Sequence, residues 1–220
     1  SQRQVDGPAT QEGAVRLGWG GSGTAPDMLA AFVRPNEPAE EIVLRDAALK
    51  LAAAGKSDAL DGYASGSRQR VWEVAAAIWS ALAAHGITYV LPPASFERTG
   101  QKVRAPGDIL ERRLATCLDT TLLFAACLEQ AGLNPVLVLS RSHAFVGVWL
   151  KGEAFSSAVI DDGQILRKRR DLEDLLFIET TLLTGTPAPF RQAVDAAARH
   201  LDADAKDAVE LAIDVRHART

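Results

Sequence analysis

The chain is poor in cysteine: Cys117 and Cys127 are the only two among 220 residues. Both fall in one stretch of helical pattern, and a rise of about 1.5 Å per residue sets them about 15 Å apart. A disulfide needs Cα atoms within roughly 7 Å, so an intramolecular bridge is excluded and a reducing, cytoplasmic compartment fits better. Two cysteines without paired histidines nearby do not make a zinc site, and neither a metal nor a cofactor is expected. Long apolar runs are also missing. The longest fall well short of the roughly 20 residues of a membrane span, and no basic segment followed by an apolar one marks a secretory leader. Positive charge is not in excess: 24 Lys and Arg stand against 28 Asp and Glu, a net charge of −4, which argues against nucleic-acid binding over the whole surface. One basic run, Arg167-Lys168-Arg169-Arg170, is of a kind usually found on a solvated face or loop. Internal repeats and low-complexity segments are absent.

What is present is ordinary for a globular domain, 47% hydrophobic and 24% charged residues in a length sufficient for one sizeable core. Residues 1–25 are rich in Gly, Gln and Ser and read as a flexible linker or the end of a preceding domain, with a short strand expected over Val15 to Trp19. The first residue is Ser1 rather than Met, which leads to the expectation of an excised fragment. Helical spacing is expected over Pro26–Val33, Ala39–Ala54 and Ser67–His85, then a short strand over Ile87–Val90 and a helical turn over Pro106–Leu114. Pro135–Leu139 and His143–Leu150 read as two strands joined by Ser140-Arg141-Ser142. Lys151–Arg170 is less regular, Leu175–Leu183 reads as a further strand, Pro187–Leu201 as a helix, and Val209–Val215 is ambiguous.

The cysteine helix has both ends marked. Thr116 is a good N-cap, Asp119 completes a capping-box pattern, Gly132 suits a left-handed C-terminal cap and Pro135 lies beyond. Cys117 would stand at the first helical position, where orphan amides favour a thiolate. Strand alternation sets His143, Phe145, Gly147 and Trp149 on one face and Ala144, Val146, Val148 and Leu150 on a core face, so His143 is placed as a base on the non-aliphatic side. A third group should orient the imidazole. Glu179, inside an apolar run, needs a partner if buried; Asp161 and Asp162, read as a turn before Gly163, are the rivals. The plainer reading stands beside this one: a cysteine on a helix is most often a small buried hydrophobe, and a histidine at a strand start is most often structural. Cys127 reads as core. His85, His200 and His217 read as exposed or capping residues near helix ends, and Trp72 and Trp79 as core.

Ala115-Thr116-Cys117-Leu118-Asp119, His143-Ala144-Phe145-Val146-Gly147-Val148-Trp149 and Glu179-Thr180-Thr181 resemble the three motifs of the transglutaminase-like core, with Glu for Asp in the third. Phe32-Val33-Arg34-Pro35-Asn36, Asp61-Gly62-Tyr63, Tyr89-Val90-Leu91-Pro92-Pro93-Ala94-Ser95-Phe96, Gly100-Gln101-Lys102-Val103-Arg104 and Ile213-Asp214-Val215-Arg216 resemble a bacterial family in which such a domain precedes a superfamily 1 helicase-type ATPase region. The chain itself has no Walker-type phosphate loop. Ala115 and Ser142 stand where the pattern has Gly, and the 36-residue interval from His143 to Glu179 makes Lys151–Asp174 an insertion. The resemblance implies an α+β fold with a transglutaminase-like, papain-like core. The catalytic cysteine then opens a helix packed on an antiparallel sheet, with added N-terminal helices. The domain would span residues 26–220, with its core at about 87–185. It further implies a Cys117–His143–Glu179 triad for acyl transfer, with the Cys117 N–H and, as a candidate, Gln101 holding the oxyanion. The implied partners are a protein or peptide substrate and the remaining helicase domains of the parent protein. Nucleic acid is met only indirectly, no membrane is involved, and a role in DNA metabolism or defence follows by analogy. Two other readings remain: a non-catalytic interaction module of the same protein, and a DNA-contacting accessory using Arg167 to Arg170.

Overall fold

The computed structural model describes residues 13–15, 26–91, 101–202, 204–205 and 208–220. Strand β1 (Gly13–Val15) pairs antiparallel with β3 (Gln101–Val103); the expectation of a strand over Val15 to Trp19 falls, past Val15, outside the described residues. A 3-10 helix, Pro26–Phe32, leads into α1 (Pro38–Ala53) and α2 (Arg68–Ala83). Ser67 caps α2 by accepting from the Arg70 amide, as its short polar side chain favours. Then come β2 (Thr88–Tyr89), α3 (Pro106–Arg112), β4 (Leu114–Ala115) and α4 (Cys117–Gln130). The chain continues through β5 (Pro135–Ser140), β6 (Ala144–Trp149), β7 (Val159–Ile160), α5 (Gly163–Asp171) and β8 (Leu175–Ile178). It ends with a 3-10 turn Thr180–Leu183, α6 (Phe190–His200), β9 (Val209–Asp214) and the short α7 (Val215–Ala218). The fold is mixed α+β. Among the described residues no helix is long and apolar enough to cross a membrane.

The main sheet runs β7-β9-β5-β6-β8, every neighbour antiparallel. A second, two-stranded sheet pairs β2 with β4 in parallel. Side-chain alternation divides the main sheet between two cores. Leu137, Leu139, Ala144, Val146, Val148, Ile178 and Ile213 pack with α1, α2 and α4. Val136, Val138, Phe145, Trp149, Leu175 and Phe177 pack with Leu166 of α5 and Ala197 of α6. The face of Phe145 and Trp149, read as the non-aliphatic side opposite the core, is itself a second core, with these residues 0% and 1% exposed. The reason is that Lys151–Arg170, expected to be irregular, supplies β7 and α5. Val209–Val215, ambiguous in sequence, is a strand as far as Asp214 because it fills the sheet between β7 and β5.

Two further expectations change. The run Leu175–Leu183 is a strand only to Ile178; Glu179 turns its carboxylate onto the Thr181 amide at 3.0 Å and caps the 3-10 turn. The basic run lies on α5, where Arg167 and Arg170 donate to the Leu201 and Ala198 carbonyls of α6's end, and Arg169 and Arg170 pair with Asp174 and Asp202. These arginines thus tie α5 to its neighbours.

Helix α4 is anchored at both ends. Gly132 follows it at φ +77° and lies against Gly62, itself at φ +59°. A Cβ on Gly62 would stand 2.6 Å from the Gly132 carbonyl oxygen, so both the left-handed backbone and the close approach demand glycine there. Next to it the Tyr63 hydroxyl donates to the Trp149 carbonyl and accepts from the Asn134 amide, at 2.8 and 2.9 Å. The Asp61-Gly62-Tyr63 turn is thereby joined to the hairpin that carries His143.

Candidate active site

The first turn of α4 is built by its own sequence. Thr116 accepts from the Asp119 amide at 3.2 Å and the Asp119 carboxylate accepts from the Thr116 amide at 2.9 Å, a reciprocal capping box. Asp119 is completely buried and also holds Arg104, through its amide at 2.9 Å and its guanidinium at 2.6 Å. Asp119 is occupied by these donors, and Cys117, 7% exposed, opens the helix at its positive end.

Two hydroxyls fix the turn from inside. Thr120 and Thr121 both donate to the Cys117 carbonyl, at 2.9 and 2.8 Å, a back-bonding geometry open to Ser and Thr in helices. The Thr180 hydroxyl lies 3.0 and 3.1 Å from the same two hydroxyls. A buried polar network therefore fastens the Cys117 turn to the residue that follows Glu179.

Register brings in the histidine. β6 and β8 pair with Val146 opposite Ile178; continuing three residues further places His143 beside Glu179-Thr180-Thr181. His143 Nε2 lies 2.6 Å from Glu179 Oε2, and the imidazole also neighbours the Cys117 side chain. With Nε2 taken by the carboxylate, Nδ1 is the nitrogen left for sulfur. Glu179 Oε1 accepts from the Thr181 amide at 3.0 Å and the Thr181 hydroxyl at 2.6 Å, so the carboxylate is held at both oxygens.

The electrostatics follow from these contacts. Burial opposes charge on His143, but the hydrogen bonds to Cys117 and Glu179 and the Glu179 charge outweigh it and hold the imidazole well above its usual range. Burial would likewise raise Glu179, yet the hydrogen bonds from His143 and His200 and the imidazole charge hold it well below the usual carboxylate range. Both shifts favour the charged pair, an imidazolium against a carboxylate, with the Cys117 side chain also close to the imidazole.

Cys117, His143 and Glu179 are thus brought together. Asp162 instead caps α5 by accepting from the Gln164 amide at 2.8 Å, and Asp161 is exposed. Gln101 lies on β3, its side chain outside the described residues. Cys127 is completely buried, its thiol pushed well up by burial and then by nearby Glu40, and both cysteines are free. Trp79 is core, while Trp72 is half-buried against Phe190.

Sequence reasoning missed six contributing residues. His200, expected as an exposed or capping residue, ends α6 with Nε2 3.0 Å from Glu179 Oε2; no local signal places it there. Thr120, Thr121 and Thr180 form the network described above, and a hydroxyl pair inside an otherwise apolar helix is a signal that could have found two of them. Arg104 meets Asp119. Tyr89 pairs opposite Ala115 on the parallel β2–β4 ladder, with the Val90 amide on the Ala115 carbonyl at 2.9 Å. Its phenol reaches the Cys117 side chain; burial, then the Cys117 sulfur, push that phenol up. No family model, no curated protein and no solved structure matches the chain.

Proposed function

We propose that the chain is a transglutaminase-like cysteine hydrolase or acyltransferase domain, of peptidase or amidase type, with Cys117 as nucleophile, His143 as base and Glu179 as the group that orients the imidazole. One observation carries this reading: a single imidazole that is held at 2.6 Å by a buried carboxylate and neighbours a cysteine at a capped helix start. Sulfur attacks an amide or ester carbonyl as the thiolate, the proton it gave up being the one that makes His143 an imidazolium. The tetrahedral oxyanion is held by the Cys117 N–H and a second donor. Tyr89, whose hydroxyl meets the Cys117 side chain, supports that second role: once sulfur is bonded to carbon, the phenol O–H is free to turn to the oxyanion. His143 then protonates the leaving amine, and the thioester is resolved by water in a hydrolase or by an amine in an acyltransferase. The resemblance of the three motifs supports a transglutaminase-like core, and that of the flanking motifs supports a place beside a helicase-type ATPase region of a larger bacterial protein.

Thiol alkylation tests the reading without a known substrate. In a Cys127→Ala background at pH 7 with EDTA, iodoacetamide is expected to modify Cys117 faster than a free cysteine. His143→Ala is expected to lower that rate by about a hundredfold, the scale of a positioned base. A Cys117 rate no faster than that of free cysteine and indifferent to His143 overturns the catalytic reading in favour of a non-catalytic interaction module.

A further inference from the structure

Glu179 carries two imidazoles where a triad needs one. His143 Nε2 and His200 Nε2 approach the same oxygen, Oε2, at 2.6 and 3.0 Å, and the two rings stand 5.2 Å apart between centroids. One donor atom from each of His143, Glu179 and His200 lies within 4.8 Å of the other two. The surroundings hold these donors in place. Thr181 takes Oε1 with both its amide and its hydroxyl, which turns Oε2 toward the imidazoles. The Phe145 ring packs against both, at 6.3 Å from His143 and 5.4 Å from His200. The His200 side chain is 39% exposed, so the cluster opens to solvent at His200.

We propose that His143, Glu179 and His200 form a binding site for a zinc-class divalent cation, and that its occupancy silences Cys117. Two imidazoles and one carboxylate are the donor set of zinc and its borderline neighbours; magnesium and calcium prefer all-oxygen sites. At metal–ligand distances of about 2.0–2.2 Å, tetrahedral donors stand about 3.4 Å apart. The present separations then need to change by only about an ångström, with water completing the coordination.

The silencing follows from which nitrogen the cation takes. A metal on Nε2 of His143 uses that lone pair and sends the Nε2 proton to solvent. The nitrogen it takes is the one Glu179 holds at 2.6 Å, so binding breaks the hydrogen bond that orients the imidazole toward Cys117. The cation also takes Glu179 Oε2 away from the imidazole. This second step rests on the roles proposed for Cys117 and His143; the cation site itself does not.

Calorimetric titration of the full, EDTA-stripped chain with zinc chloride tests the site, with cobalt(II) absorption as a second readout of tetrahedral nitrogen and oxygen coordination. The expected result is one equivalent bound at micromolar or tighter affinity, weakened at least about tenfold by His200→Ala and by His200→Gln. The glutamine can still donate to Glu179, so loss of binding there is not a loss of folding. Binding unchanged in both variants, or abolished by Cys117→Ser, overturns the site. Alkylation of Cys117, scored for each protein against its own metal-free rate, tests the silencing: zinc is expected to slow the wild type and to leave the His200 variants' rates near their metal-free values at the same concentration. Zinc that binds without slowing alkylation overturns the silencing. An ordinary metal-free rate overturns the catalytic reading alone, since the calorimetry stands independently of it.

Discussion

Glu40 and Glu179 are both buried glutamates, 0% and 4% exposed, and they ionise in opposite directions. Glu179 receives two imidazoles, an amide and a hydroxyl and is held well below the usual carboxylate range. Glu40, in the first turn of α1, has no hydrogen-bond partner on either carboxyl oxygen. Burial, against the weaker pull of backbone amides and Arg34, raises it to about 7. Burial sets the cost of charge, and partners decide whether that cost is met. The two cysteines of α4 repeat the lesson. Cys117 lies among an imidazole and a phenol, whereas Cys127 lies in the apolar core near Glu40 with its thiol pushed up.

The largest expected effect comes from breaking the supported carboxylate. Glu179→Gln removes the charge that two imidazoles share while nearly keeping the shape. Loss of a buried ionic partner costs about 3 kcal/mol, to be read as a lowered urea midpoint at pH 7. The same variant is expected to bring Cys117 alkylation toward that of an ordinary cysteine, because His143 loses the group that fixes its tautomer. Unchanged stability and unchanged alkylation together would show that Glu179 is as isolated as Glu40.

Glu40 offers the opposite test. Its folded value of about 7 lies above the unfolded value near 4.5, so the folded state holds its proton more tightly. The protein is therefore expected to be most stable, as far as this group is concerned, below about pH 4.5. It loses stability as pH rises from there through 7, by an amount on the order of 3 kcal/mol. Glu40→Gln is already neutral. It is expected to remove that loss, stabilising the chain at pH 8 and changing little at pH 4.5. Denaturant unfolding of both proteins at the two pH values checks this; equal differences at both would show that Glu40 is not the titrating group.

How much of this contrast was legible in the sequence depends on how local its causes are. The capped start of α4 was legible because Thr116 and Asp119 lie three residues apart and the capping box is a bond between neighbours. The β5–β6 hairpin was legible for the same reason. Glu179 was recognised as a carboxylate in need of a partner but placed inside a strand. Its own hydrogen bond to the Thr181 amide ends the strand at Ile178, a side-chain choice that an apolar run conceals. His200 was not legible at all. It reaches Glu179 only because α6 folds back along β8, with the Glu179 amide on the Ala193 carbonyl at 3.0 Å. Glu40 escaped because a glutamate near a helix start reads as a favourable surface charge, and nothing local reveals that it is buried.

The smallest effect sharpens the comparison most. Thr181→Val removes one hydroxyl, which donates to Glu179 Oε1 at 2.6 Å, and keeps the β-branched shape and the backbone amide. A single hydrogen bond to a buried charge is worth about 1.5–3 kcal/mol, and the retained amide and two imidazoles place the expected loss at the lower end, about 1.5 kcal/mol. The urea midpoint at pH 7 measures it. A loss near that of Glu179→Gln would mean that the carboxylate depends on one partner and that its neighbours contribute little. A loss near 1.5 kcal/mol, with Cys117 alkylation reduced by less than in Glu179→Gln, would mean that support is shared. Shared support is what separates Glu179 from Glu40: a carboxylate held by four donors can lose one and remain ionised, while a carboxylate whose oxygens have no hydrogen-bond partner is governed chiefly by burial.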